Sequence, residues 1–239
     1  GSSGIGLATA KRFSAEGARV AITARNQAQL DGAARALGES VLAIRGDVSK
    51  LGDLERIYQT VESKLGKVDA LIVNAGVYVL GPLADFTEEQ FDQVSDINFK
   101  GAFFSVQRAL PFIKDGASIV LVSSTVNGKG IPNHAAYSAT KAAVRSLARS
   151  FSADLASRKI RVNVLSPGPV DTPVFATVTS SADEAIKILE ARRDIHLVFT
   201  DVEMPGTMDW IRLSHYIRDR WPPIKLIVAS GRTIVEQSS

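Results

Sequence analysis

Cysteine is absent from this chain, which excludes disulfides, thiolate nucleophiles and Cys-ligated zinc. Histidine is scarce, three in all and scattered, so no metal site is expected. No apolar run reaches about 18 residues, and no basic segment leads into an apolar stretch and cleavage site, so neither a membrane span nor a secretory signal is expected. The chain is accordingly placed in the cytoplasm. Lys and Arg total 28 against 25 acids, without a basic block or interleaved aromatics, a pattern that argues against nucleic-acid binding. Chemistry is left to hydroxyls, amines, amides and carboxylates. With 239 residues, 45% of them hydrophobic, the chain can bury one sizeable core or two small ones.

What is present is an alternation. The stretches 19–23 (RVAIT), 40–48 (SVLAIRGDV), 70–76 (ALIVNAG), 117–124 (ASIVLVSS) and 160–168 (IRVNVLSPG) are β-branched and almost wholly apolar, as strands covered on both faces should be. Helix-sized segments separate them, which predicts an α/β fold of right-handed βαβ crossovers around a doubly wound, Rossmann-like parallel sheet. Ligands in such sheets sit at the carboxyl ends of the strands. Polar or turn-forming residues gather there: Gly46-Asp47-Val48, Asn74-Ala75-Gly76, Ser123-Ser124, and Pro167-Gly168 followed by Thr172.

The opening GSSGIG places Ser3, Gly4, Ile5 and Gly6 before a helix-like segment. Glycines there let backbone amides approach a pyrophosphate at a helix N-terminus, where free N–H groups and the helix dipole favour an anion. The same letters occur in cloning scars, but the helical continuation and the strand that follows favour a phosphate turn. Further on, YSATK sets Tyr137 and Lys141 four residues apart, on one face of a helix. A nearby ammonium favours tyrosinate and lowers the phenol's pKa toward the working pH of a general acid/base. Ser124, thirteen residues upstream, and Asn98, on a separate helix, complete a candidate catalytic set.

Taken together, GSSGIG, GDV, VNAG, INFKG, VSS, YSATK and SPGPVDTP, in this order and spacing, resemble the short-chain dehydrogenase/reductase family over about residues 1–175. The resemblance implies an NAD(P)-dependent oxidoreductase acting on a small carbonyl or alcohol. Tyr137 would exchange a proton with the substrate oxygen, Lys141 would lower its pKa and hold the nicotinamide ribose, Ser124 would orient the substrate, and Asn98 would help hold a relay water. Asp47 and Val48 would flank the adenine, Asn74 would lie beside the adenosine ribose and Thr172 near the nicotinamide amide, with Ala75, Gly76, Pro167 and Gly168 also in the cofactor site. Where an acid would select NAD(H), this chain has Ala24 followed by Arg25. A guanidinium can pair with a 2′-phosphate, so NADP(H) is favoured over NAD(H). Family members also place a strand and Thr-Gly ahead of GSSGIG. The resemblance therefore predicts a sheet without its middle, between 19–23 and 70–76. KLIVASG (225–231) is one candidate for that slot; should it pair beside 195–201 instead, weak cofactor affinity is expected.

From about Ala176 the character changes, giving a second expected region at 176–239. There FTDVEMPG resembles the response-regulator receiver family, a flavodoxin-like βα fragment in which Asp201 would be the phospho-acceptor, Pro205 and Gly206 its loop, and Ser230 the switch hydroxyl. The acid pair and the lysine of that family have no counterpart, Trp210 stands in place of a glycine after Asp209, and a lone carboxylate holds Mg²⁺ poorly. Ser181 with Glu184 reads as a helix-capping pair. Three functions follow as expectations: an oxidoreductase, a phosphorelay receiver, or an inactive chimeric scaffold. A homo-oligomer is left open.

Overall fold

The computed structural model describes residues 1–38, 41–168, 181–191, 197–201, 210–222 and 225–229, and among these seven strands and eight α-helices follow one another in near-strict alternation. Packing divides the chain into two units, 1–176 and 177–239.

In the first unit, α1 (Gly4–Ala15) leads to β1 (Ala21–Ala24), α2 (Gln27–Leu37) and β2 (Leu42–Arg45). Then come α3 (Leu51–Leu65), β3 (Val68–Val73), α4 (Glu88–Ser95), α5 (Gly101–Ala109), β4 (Ile113–Val122), α6 (Ala135–Asp154) and β5 (Arg161–Leu165). Local chemistry sets several boundaries. Asn26 caps α2 by accepting from the Gln29 amide at 3.0 Å, and Thr87 with Gln90 forms a reciprocal capping box on α4, each satisfying amides the first helical turn leaves free. Between α4 and α5 the residues Asp96–Lys100 form a π-turn, a feature frequent at functional sites.

All pairings are parallel. β4 lies between β3 and β5, with Leu71 opposite Ile119 and Ile119 opposite Val162. Strand β1 pairs with β2 from Ala21–Leu42 to Ala24–Arg45. The main core, including Leu54, Tyr58, Val106, Ile119, Leu121, Val144 and Phe151, sits on the three-stranded sheet, and a smaller cluster of Ala10, Ile22, Leu30, Ala33 and Val41 on the pair.

The sheet expected to lack its middle is two hydrogen-bonded pieces among the described residues. Among the described residues no strand lies between β1 and β3; a cavity of about 450 Å³ does, lined by Ala21–Thr23, Asp69–Val73 and residues of α1 and α3. The two edges do not pair with each other: Ala21, Asp69 and Ala70 on them are exposed, whereas Ile22 and Val73 are buried. Segment 225–229 does not fill the slot: it is β7 (Lys225–Ala229), paired along β6 (Leu197–Asp201) from Leu197–Lys225 to Asp201–Ala229.

β6 and β7 belong to the second unit, with α7 (Ala182–Ala191) and α8 (Trp210–Arg220). Its helices share a core of Ala182, Leu189, Leu213 and Ile217. Ser181 caps α7 as expected, its Oγ accepting from the Glu184 amide at 3.3 Å. Asp201 closes β6. Its side chain and that of Trp210, with Thr172, Pro205, Gly206, Asp209 and Ser230, lie outside the described residues. No helix among the described residues is long and apolar enough to cross a membrane.

Candidate active site

The carboxyl ends of the strands in the first unit open onto one pocket of about 350 Å³. It gathers Ser3, Gly4 and Ile5 of the glycine turn, Arg25 after β1, Asp47 and Val48 after β2, Asn74, Ala75 and Gly76 after β3, Ser124 after β4, Tyr137 and Lys141 from α6, and Pro167 and Gly168 after β5. Residues that are scattered along the chain therefore line one site.

The glycine turn is built for close approach. Gly4 has φ +52°, a left-handed backbone that side chains disfavour. A Cβ on Gly6 would stand 2.9 Å from Asn74 Nδ2, so glycine there lets α1 seat against the end of β3. The Gly1 nitrogen donates to the Thr23 carbonyl at 2.7 Å, fixing the turn to β1. The Leu7 amide is already bonded to Ser3 O at 3.1 Å, and the first turn of α1 carries no acid. Its N-terminus is therefore suited to an anion.

On α6, Tyr137 and Lys141 share a face, with Lys141 only 5% exposed. Lys141 Nζ donates to the Val122 carbonyl at 3.0 Å and stands 5.7 Å from the Tyr137 ring centre. Burial pushes its pKa down to about 8. The Tyr137 phenol is pushed up instead, by burial first; the hydrogen bond from Ser124 pulls the other way, and Tyr78 adds to the rise. The expectation of a tyrosine lowered by its lysine is not what this geometry gives: the ammonium faces the Val122 carbonyl and the ring, and desolvation of the phenol dominates.

Ser124 accepts from the Val126 amide at 3.4 Å, at the head of a short 3-10 turn. Its neighbour Ser123, buried, donates to the Lys141 carbonyl at 2.7 Å and accepts from Asn127 Nδ2 at 3.1 Å, tying the end of β4 to α6. Asn98, 1% exposed, clamps Val77: Oδ1 accepts from its amide at 2.7 Å and Nδ2 donates to its carbonyl at 2.9 Å. A further bond reaches Thr140 Oγ1 at 3.4 Å. The side chain expected to help hold a water is engaged instead with the loop after β3. Asp47 likewise turns onto its own loop, where its Oδ1 accepts from the Ser49 amide and hydroxyl at 2.9 and 2.8 Å.

Three contributors escaped the sequence-based reading, and a fourth, Ser123, was marked there only as a polar strand end. Arg45, the last residue of β2, donates from Nε to the Arg25 carbonyl at 3.2 Å, bringing a second guanidinium to the Arg25 loop; a basic strand end was the available signal. Ser123 had the same signal as Ser124. Tyr78 and His134 are joined only in three dimensions.

The pocket fits a nicotinamide dinucleotide on the residues present. The glycine turn is shaped for phosphate, Thr23 Oγ1 at the end of β1 is buried without a partner, and Gly76 leaves a cradle where a Cβ would stand 3.2 Å from Asn98 Oδ1 and 3.3 Å from Lys141 Nζ. Among the described residues no group of three or more His, Asp or Glu is placed to hold a metal.

Comparison with known proteins supplies the class. The family model described as enoyl-(acyl carrier protein) reductase matches residues 1–206. An oxidoreductase of Sarocladium schorii is 44% identical over 176 residues, 73% of this chain and 71% of its own. A hydroxynaphthalene reductase-like protein of Metarhizium majus is 37% identical over 178 residues, 72% of this chain and 66% of its own length. The crystal structure of levodione reductase superposes with a TM-score of 0.69 at 31% identity, covering 73% of this chain and 70% of that one. The chain therefore belongs to the short-chain dehydrogenase/reductase family: it is an oxidoreductase with the Rossmann-like parallel α/β fold and an NAD(P)-type cofactor. The receiver resemblance beyond residue 176 finds no support, nor does the idea of a chimera or a flavodoxin-like fragment; the family match runs on through β6 to residue 206.

Proposed function

We propose that the protein reduces a small cyclic or aromatic ketone with NADPH, and oxidises the corresponding alcohol in reverse. The observation that carries this reading is the convergence of Ser124, Tyr137 and Lys141 on the pocket that also holds the glycine turn. The cofactor supplies the hydride. Tyr137, whose phenol is protonated at neutral pH and is pushed further up by burial, donates the proton to the substrate oxygen. Ser124, within hydrogen-bonding reach of that phenol, holds the oxygen in line, a positioning effect that matters as much as the proton itself. Lys141 places a positive charge beside the tyrosine ring, Asn98 fixes the loop that carries Gly76 and Val77, and Thr172 would complete the nicotinamide side of the pocket.

Preference for NADPH is supported by Arg25 and Arg45 at the β1 and β2 ends, where Ala24 stands in place of an acid. A guanidinium recognises a phosphate monoester and gains little from a ribose hydroxyl. A ring-bearing ketone is favoured because two relatives of this chain are described by the reduction of ring compounds. Homo-oligomerisation is supported by Phe91 and Phe99, 53% and 42% exposed near the α4–α5 junction.

The test is loss of nicotinamide absorbance when purified protein, NADPH and a panel of tetralones, cyclohexanediones and linear ketones are mixed. Turnover of ring ketones, abolished by Tyr137→Phe, is the expected result. Turnover that survives Tyr137→Phe to within a few-fold overturns the assignment.

A further inference from the structure

Two loops on either side of the pocket mouth are stapled together beside the proposed proton donor. On one, Val77 is gripped through both backbone groups by Asn98. On the other, Asn133 adopts a left-handed φ of +65° and its carbonyl accepts from the Gly81 amide at 3.1 Å. Between these two anchors Tyr78 reaches across, and its hydroxyl lies 2.7 Å from His134 Nε2.

The protonation pattern follows from the second ring nitrogen. His134 Nδ1 lies 2.7 Å from the Pro132 carbonyl, which can only accept, so Nδ1 carries the hydrogen. In the neutral imidazole Nε2 is then the acceptor, and the Tyr78 hydroxyl donates to it. This contact locks the direction of the Tyr78 ring, which meets the Tyr137 ring edge to face at 4.8 Å and 90°. The arrangement is a preferred one for aromatic pairs. His134 is also only three residues before Tyr137, at the entry to α6, so one contact joins the end of the helix carrying the donor to the loop facing it.

We propose that Tyr78 and His134 form a positioning pair that holds the ring of Tyr137 at its working angle. The pair rests on the assignment of Tyr137 as proton donor. Neither residue touches the reacting atoms in this role; both act through the tyrosine. A misplacement of about 1 Å at a reacting group can cost up to about a hundredfold in rate, so the pair has room to matter.

The experiment uses the full chain saturated with NADPH and tetralone as the probe ketone. Variants are Tyr78→Phe, His134→Leu, His134→Gln and the double variant Tyr78→Phe with His134→Leu. In parallel, the Tyr137 phenol is titrated by NMR with ring-labelled tyrosine, its signal assigned by loss in Tyr137→Phe. Tyr78→Phe and His134→Leu should each lower kcat by about three- to tenfold with little change in KM, and the double variant should be no worse than either, because both break one contact. His134→Gln, whose side-chain oxygen can still accept from Tyr78, should recover most of the loss. Both disruptive single variants should move the Tyr137 titration midpoint. Additive losses, or an unchanged kcat with an unmoved midpoint, overturn the pair. If the parent turns over no ketone, the proposed activity fails, but the titration still decides: a midpoint moved alike by Tyr78→Phe and His134→Leu upholds the coupling, and an unmoved one refutes it.

Discussion

Lys141 carries its ammonium 5.7 Å from the centre of the Tyr137 ring and spends a hydrogen bond on the Val122 carbonyl, at a site only 5% exposed. This placement is unfavourable for the fold. Its pKa lies near 8 in the folded protein against 10.5 ordinarily, so between those values the unfolded chain binds more protons and stability rises with pH. The buried charge costs on the order of 3 kcal/mol at neutral pH.

Lys141→Met should therefore raise the melting temperature at pH 7 while abolishing ketone reduction. The gap between variant and parent should narrow as pH climbs from about 8 toward 10.5, where both side chains are neutral. Thermal unfolding followed by circular dichroism across that range checks both the size and the sign. A variant less stable than the parent at pH 7 contradicts the prediction.

The raised phenol of Tyr137 sets a direction. A protonated donor serves reduction at neutral pH, whereas oxidation needs the tyrosinate, so alcohol oxidation should increase steadily with pH into the alkaline range while reduction does not. Initial rates in both directions, each over the same buffers, give the comparison. An oxidation rate already level near neutrality would show that the phenol ionises more easily than its burial implies.

For the cofactor, Arg25→Asp should cost NADPH at least about tenfold in affinity while sparing NADH, as expected for losing one charge-assisted phosphate contact. Arg45→Ala should have a smaller effect in the same direction. Titration followed by nicotinamide fluorescence reads both, and equal affinities of the parent for the two cofactors would remove the basis of the preference.

Asn98 offers a separation of roles. Replacing it with leucine leaves the amide and carbonyl of Val77, both part-buried, without their partner, which should destabilise the fold by up to roughly 2–6 kcal/mol, given about 1–3 kcal/mol for each group left unsatisfied. Chemical denaturation measures this directly, and a loss under about 1 kcal/mol would mean that the Val77 loop finds water instead.

Much of this was legible locally. β-branched runs announced every strand, because a strand covered on both faces has few other ways to be composed. YSATK put Tyr137 and Lys141 on one helical face for the same periodic reason. The boundaries drifted: β4 begins at Ile113 and not near 117, since the turn-like Lys114–Gly116 is absorbed where the ladder slips between Val68 and Ala70. What the sequence hid was pairing across distance. Tyr78 and His134 stand 56 positions apart, and Arg45 meets Arg25 from 20 away, with no local pattern to mark either. Nor does composition reveal where a buried lysine points or how far burial raises the phenol of Tyr137. The motif FTDVEMPG shows the opposite failing, a local match to a receiver inside a stretch that the oxidoreductase family model covers through residue 206.

The separation of β1–β2 from β3–β4–β5 has a consequence for motion. No backbone ladder joins the two sheets among the described residues, and the smaller one rests on a handful of side chains around Ile22 and Leu30. Amide hydrogen exchange should therefore fall into two tiers, with Ile22 and Ile44 opening well before Ile119 and Val162, because cooperative units with little buried apolar contact open at lower free energy. The glycine turn, Arg25 and Asp47 belong to the looser tier, whereas Ser124, Tyr137 and Lys141 belong to the tighter one. A dinucleotide spanning both would slow exchange selectively in the first, drawing the two tiers together, and the cofactor would then act as the tie that the described strands do not provide.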